Sequence, residues 1–131
     1  MTLAELLAPT LKAMRCGDGD AGLESFLRFY TENAVMVDIS RRKVHTGHQE
    51  LLEKFAELAK NFDWIPTTSD EEYSGGEELI RYESKCTLRK EEKIMIVLKI
   101  VQFWRKIGDE YKMEVEFYTV LEDHKEDQSN Q

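Results

Sequence analysis

The sequence predicts an α+β domain in which a curved antiparallel sheet wraps around helices at the N-terminal end. Three observations predict it. Helical spacing of apolar residues runs from Leu3 to Tyr30. A short apolar strand and one strongly amphipathic helix follow between Ala34 and Phe62. From Trp64 onward the period changes from helical to alternating and stays so almost to the end. Helices that precede a run of strands segregate to one face of the sheet, which is the α+β arrangement.

Thr2 and Glu5 have the spacing of a capping box, and Leu3, Leu6, Leu7, Leu11 and Met14 follow it at helical intervals. Pro9 either kinks this helix or starts one near Ala8. Gly17-Asp18-Gly19-Asp20 reads as a turn, with Asp20 capping a second short helix that carries Leu23, Phe26, Leu27 and Tyr30 on one face. Ala34 to Ile39 reads as a strand, and Ser40-Arg41-Arg42-Lys43 as a basic turn. Thr46 and Gln49 suggest a second capping box. The helix it opens is expected to bury Leu51, Leu52, Phe55, Leu58, Ala59 and Phe62 and to expose Glu50, Glu53, Lys54, Glu57 and Lys60.

Trp64 to Tyr73 reads as an edge or bulged strand because of Pro66, and Gly75-Gly76 as its hairpin turn. In Leu79 to Arg89, Ile80, Tyr82, Ser84, Cys86 and Leu88 share one face and the charged residues the other. Lys90-Glu91-Glu92-Lys93 turns the chain into Ile94 to Lys106, which is apolar on both faces. The helices cover one face, so Met95, Val97, Val101 and Phe103 on the other need a partner, and a homodimer through the sheet is expected. After Gly108-Asp109, Met113, Val115, Phe117 and Leu121 alternate with Lys112, Glu114 and Glu116 in a last strand. Residues 1–123 are read as one domain and 124–131 as a polar tail.

The 131 residues carry a formal net charge of −8, and 41% are hydrophobic. The charge argues against nucleic acid and anionic membrane surfaces, which are bound through Lys and Arg. No apolar run approaches a membrane span of about 20 residues, and the N-terminus lacks a basic region before its apolar residues. Cys16 and Cys86 make no disulfide framework and are read as reduced thiols, so the expected location is cytoplasmic. No cofactor motif is present.

The run Tyr30-Thr31-Glu32-Asn33-Ala34-Val35-Met36-Val37-Asp38, with Gly47 followed by Leu51, Leu52 and Phe55, resembles the nuclear-transport-factor-2-like superfamily of cone-shaped α+β domains. Ketosteroid isomerases, SnoaL-like cyclases and scytalone dehydratase share that fold. The resemblance spans residues 3 to 123 in element order. It implies a funnel between helices and sheet, and dimerisation through the sheet. It also puts Asp38 at the position of the isomerases' general base. Their oxyanion-stabilising tyrosine would fall near Thr10 and their protonated aspartate near Ile100, so both donors are missing and isomerase activity is not implied.

Two readings of Asp38 stand side by side: a general base desolvated among Ala34 and Met36, or a strand-end carboxylate that pairs with Arg41 or Arg42 or caps the turn. His45 is a candidate acid–base partner for Asp38. His45 and His48 straddle a strand–helix boundary, which argues against a metal. Tyr30, Met36, Trp64, Tyr82, Gln102 and Trp104 are candidate ligand walls, with Ser84 and Thr119 as further polar strand residues. Gln102 interrupts an apolar face and needs a partner, either a ligand or a neighbouring group. The expected function is binding of a small apolar molecule in the funnel. The alternatives are a cofactor-independent acid–base enzyme and a protein-interaction module with a filled cone.

Overall fold

The computed structural model describes residues 1–15, 23–61 and 63–124. The Gly17 to Asp20 turn, the Asp20 cap, Cys16, Phe62 and most of the expected tail lie outside them.

Helix α1 runs from Leu3 to Arg15. The capping box forms: Glu5 N–H donates to Thr2 Oγ1 at 3.1 Å and Thr2 N–H to Glu5 Oε1 at 3.5 Å. Pro9 sits inside this one helix rather than starting another. A 3-10 helix follows at Leu23–Phe29 and hands over directly to strand β1, Tyr30–Asp38. Tyr30 therefore opens a strand, where helical spacing had placed it on the preceding helix. Strand β2, Lys43–Thr46, returns antiparallel and leads into α2, Gly47–Leu58. Thr46 makes no side-chain cap; its own N–H donates to Glu50 Oε1 at 3.2 Å.

Four long strands complete the chain: β3 Ile65–Gly76, β4 Leu79–Lys90, β5 Lys93–Ile107 and β6 Glu110–Asp123. The sheet order is β2-β1-β6-β5-β4-β3, with β1 parallel to β6 and every other pair antiparallel. The sheet is thus mixed, not purely antiparallel as expected from the sequence. β3, which contains Pro66, lies on the edge, where a missing backbone donor costs little. Its turn falls at Glu77–Glu78, with Gly75 and Gly76 still in strand pairing.

The helices cover one face of the sheet. Leu7 and Leu11 of α1 and Leu51 of α2 join Tyr30, Ala34, Met36, Ile80, Tyr82, Trp104, Tyr111 and Met113 in one core. Two bulges change which residues reach it. Phe103 faces Val115 while Trp104 faces Met113, so Glu114 is an extra residue on β6. Alternation restarts beyond it, and Glu116 turns inward to pair with Met36 and Gln102. This corrects the assignment of Glu116 to the polar face. On β5, Met95 is extra opposite β4. Met95 and Val97 are buried within the chain itself and need no partner, contrary to expectation. The half-buried outer patch consists instead of Val35, Val37, Val101, Phe103, Val115 and Phe117, with the two phenylalanines in edge contact at 6.2 Å.

Candidate functional site

A cavity of about 230 Å³ opens between the C-terminal half of α1, the 3-10 helix and strands β3 to β5. Leu11, Met14, Phe26 and Ile100 supply its apolar wall. Arg15, Thr68, Tyr82, Ser84, Cys86 and Gln102 supply its polar groups. The period-2 pattern places Tyr82, Ser84 and Cys86 on one face of β4, and antiparallel pairing sets Tyr82 opposite Gln102 and Ser84 opposite Ile100.

Gln102 is the floor of the cavity and the visible end of a buried chain of polar groups. Its Oε1 accepts from Trp104 Nε1–H at 3.0 Å, and its Nε2–H donates to Glu116 Oε2 at 2.5 Å. Tyr30 Oη–H reaches the other carboxyl oxygen of Glu116 at 3.5 Å. The amide demanded a partner, and Glu116 is that partner. Burial pushes the Glu116 carboxyl above the usual carboxylate range, while the bonds from Gln102 and Tyr30 pull it back. Burial, with Glu116 as the second cause, raises the Tyr30 phenol well above its ordinary value.

At the mouth, an Arg15 Nη–H donates to Tyr82 Oη at 2.8 Å. The Tyr82 ring meets that of Tyr73 at 4.9 Å, tilted by 40°, and the Tyr73 hydroxyl donates to Glu71. Burial raises the Tyr82 phenol, and Arg15 opposes the rise. Burial also raises the Cys86 thiol, with Arg15 again opposing, which keeps the sulfur in its unreactive protonated form.

Asp38 is buried at the far end of β1 and is not among the residues lining this cavity. Its Oδ1 accepts from Arg41 N–H at 3.1 Å, which caps the turn. Its Oδ2 lies 3.9 Å from Arg41 Nε and 4.0 Å from Lys54 Nζ. Lys54, expected on the exposed face of α2, is almost fully buried, and its ammonium also sits 5.8 Å from the centre of the Tyr118 ring. Leu58, expected in the core, is half exposed. Burial first, and the neighbouring Asp38 second, push the Tyr118 phenol upward.

His45 lies on β2 opposite Met36, with Nε2 buried and without a hydrogen-bond partner among the described residues. His48 opens α2 and its Nε2 lies 3.2 and 3.0 Å from the carbonyl oxygens of Tyr30 and Thr31. Both are acceptors, so Nε2 carries the proton and ties the helix start to β1. Among the described residues, no three His, Cys, Asp or Glu side chains gather as metal ligands. Trp64 is buried just before β3, and Met36 is buried in the core; neither lines the cavity. The residues that sequence reasoning missed are Arg15, Lys54 and Glu116.

No protein-family model and no curated protein matches this chain. Solved structures do. A protein of unknown function with a cystatin-like fold from Nostoc punctiforme superposes with a TM-score of 0.70 at 17% identity, over 90% of this chain and 87% of that one. A ketosteroid isomerase-like protein from Erwinia carotovora atroseptica gives 0.66 at 12% identity, over 93% and 99%. A protein described as NTF2-like from Cytophaga hutchinsonii gives 0.68 at 9% identity, over 92% and 100%. Among the described residues, no helix is long and apolar enough to cross a membrane. The chain has the nuclear-transport-factor-2-like cone fold, a six-stranded mixed sheet left open around its helices.

Proposed function

We propose that this protein is a binding domain for a small, mostly apolar molecule held in the cavity above Gln102. One observation carries the reading: an apolar space of about 230 Å³ ends on a buried amide whose partners are already in place. Ligand sites have this construction, a greasy wall with a few fixed polar groups. The volume lies below the roughly 300–1,000 Å³ of drug-sized sites, which favours a compact ligand. Gln102 retains one N–H and one lone pair for such a guest. The separate location of Asp38, occupied by Arg41 and Lys54, makes binding the better-supported reading than acid–base catalysis at that residue.

Titration of the ¹⁵N-labelled protein with cyclohexanol tests this. The expected result is saturable shifts of the Leu11, Phe26, Ile100 and Gln102 amides. Ser84→Phe, which fills the space, removes them while retaining the dispersed spectrum of a folded chain. Shifts that never saturate, or that persist in Ser84→Phe, overturn the reading.

We also propose that two copies pair through the outer sheet face. Six half-buried apolar residues on three adjacent strands support this: Val35, Val37, Val101, Phe103, Val115 and Phe117. Sedimentation should report a dimer at micromolar concentration, converted to monomer by Phe103→Lys; a monodisperse wild-type monomer refutes it.

A further inference from the structure

Among the described residues, Arg15 is the one cation lining the cavity. The chain carries 26 acidic against 18 basic residues, so a basic side chain has acids in excess to choose from. Arg41, Lys54, Arg81, Lys90, Lys99, Arg105 and Lys106 each have a carboxylate within 4.0 Å. Arg15, like several exposed lysines and arginines, has none among the described residues, and what sets it apart is its place on the cavity wall. Its place in the last turn of α1 suits the helix dipole, but a side chain extended into water would serve that purpose equally. The side chain is exposed at the cavity mouth, and its guanidinium bonds Tyr82 Oη there.

That bond has a directional consequence. The Tyr82 oxygen accepts from Arg15, so the Tyr82 O–H proton is left to donate elsewhere. Glu71 accepts from Tyr73 through one carboxyl oxygen at 3.1 Å and also takes a hydrogen bond from the Tyr82 hydroxyl. The remaining guanidinium N–H groups of Arg15 are therefore the donors on one side of a cavity whose other side is Leu11, Met14, Phe26 and Ile100. A set of donors that includes one cation fits an oxyanion, and a guanidinium fits a carboxylate best because two parallel N–H groups meet two oxygens.

We propose that the cavity takes a small monocarboxylate with a compact apolar body, its carboxylate on Arg15 and its body against Met14, Phe26 and Ile100. This rests on the ligand-binding reading above. Gln102 then meets the far end of the guest, and the net negative charge of the chain gives no general attraction for it, so recognition depends on this one guanidinium.

The test compares cyclohexanecarboxylate with cyclohexanecarboxamide, which match in shape and differ in charge, by titration followed on the Leu11 and Ile100 amides. The carboxylate should bind about tenfold more tightly or better, the scale of a charge-assisted hydrogen bond. Arg15→Met should abolish that preference, the carboxylate losing more affinity than the amide. Arg15→Lys should restore part of the carboxylate's affinity. Equal binding of the two guests overturns the carboxylate assignment while leaving the cavity a ligand site. A preference that survives Arg15→Met places the anion elsewhere and also overturns it. If neither guest shifts these amides, the binding reading itself fails, and this inference with it.

Discussion

Replacing Lys54 by Met should destabilise this protein more than any surface charge change, and Asp38 sets the size of the effect. The ammonium and the Asp38 carboxylate are 4.0 Å apart and both are almost fully buried. At an effective dielectric constant of about 20, two charges at that distance attract by about 4 kcal/mol. Removing one member of a buried pair costs about 3–5 kcal/mol because the survivor is left desolvated. Arg41 reduces the loss: its backbone N–H stays on Oδ1, and its guanidinium, 3.9 Å from Oδ2, is half exposed and so screened. The cost of Lys54→Met should therefore fall near the lower figure, about 3 kcal/mol. Asp38→Asn leaves the ammonium with Glu57 at 3.5 Å and should cost less. The double variant should cost about 2 kcal/mol less than the sum of the two, a coupling appropriate to touching residues. Urea unfolding with a constant m-value reads all three. A coupling below about 0.5 kcal/mol would refute the account and return Asp38 to the list of groups free for chemistry.

Three further outcomes follow from particular contacts. Glu116 is raised by burial, so above the ordinary carboxylate value the unfolded chain has lost a proton that the folded chain keeps; stability falls as pH rises through that window, by at most about 1.4 kcal/mol per pH unit. Glu116→Gln removes the dependence, so chemical denaturation from acid to neutral pH should show the variant gaining on wild type; parallel curves would contradict it. Gly75 has φ of +96° and an added Cβ would lie 2.5 Å from the Leu79 carbonyl oxygen, so Gly75→Ala should cost about 1–3 kcal/mol in thermal unfolding, and Gly76→Ala, with open space around it, much less. His48→Ala cuts the tie to the Tyr30 and Thr31 carbonyls and should cost about 1–3 kcal/mol, with faster amide exchange at the start of α2; unchanged exchange would deny the tie.

Element order was legible because each element is patterned over many residues. The alternation of Ile80, Tyr82, Ser84, Cys86 and Leu88 placed β4 correctly and with it most of the cavity's polar wall. Single positions at element borders were less legible. Tyr30 fits a helical interval after Phe26, and also the first position of a strand that pairs with Met113; tertiary pairing decided for the strand. Lys54 falls at the i+3 position from Leu51, squarely in the apolar stripe of α2. Its charge argued for exposure, and only the approach of Asp38 from β1 makes burial tolerable.

Glu116 exposes the limit of a periodic reading. Counting by two from Met113 puts Val115 and Phe117 inside and Glu116 in water. One extra residue, Glu114, reverses this, and nothing local in Glu114-Val115-Glu116 marks a bulge, since both acids suit a solvent-facing strand equally. The reversal has two effects at once. It sends Val115 and Phe117 to the outer face, where with Val101 and Phe103 they form the apolar patch. It sends Glu116 under Gln102, where the carboxyl fixes the amide that floors the cavity. Gln102 on β5 was recognisable as an interruption that needed a partner, and the partner was hidden by a one-residue shift in the neighbouring strand. A polar residue interrupting an apolar strand face is thus a prompt to test each adjacent strand in both phases. Here only the bulged phase of β6 satisfies the Gln102 amide, and that same phase builds both the cavity floor and the outer patch.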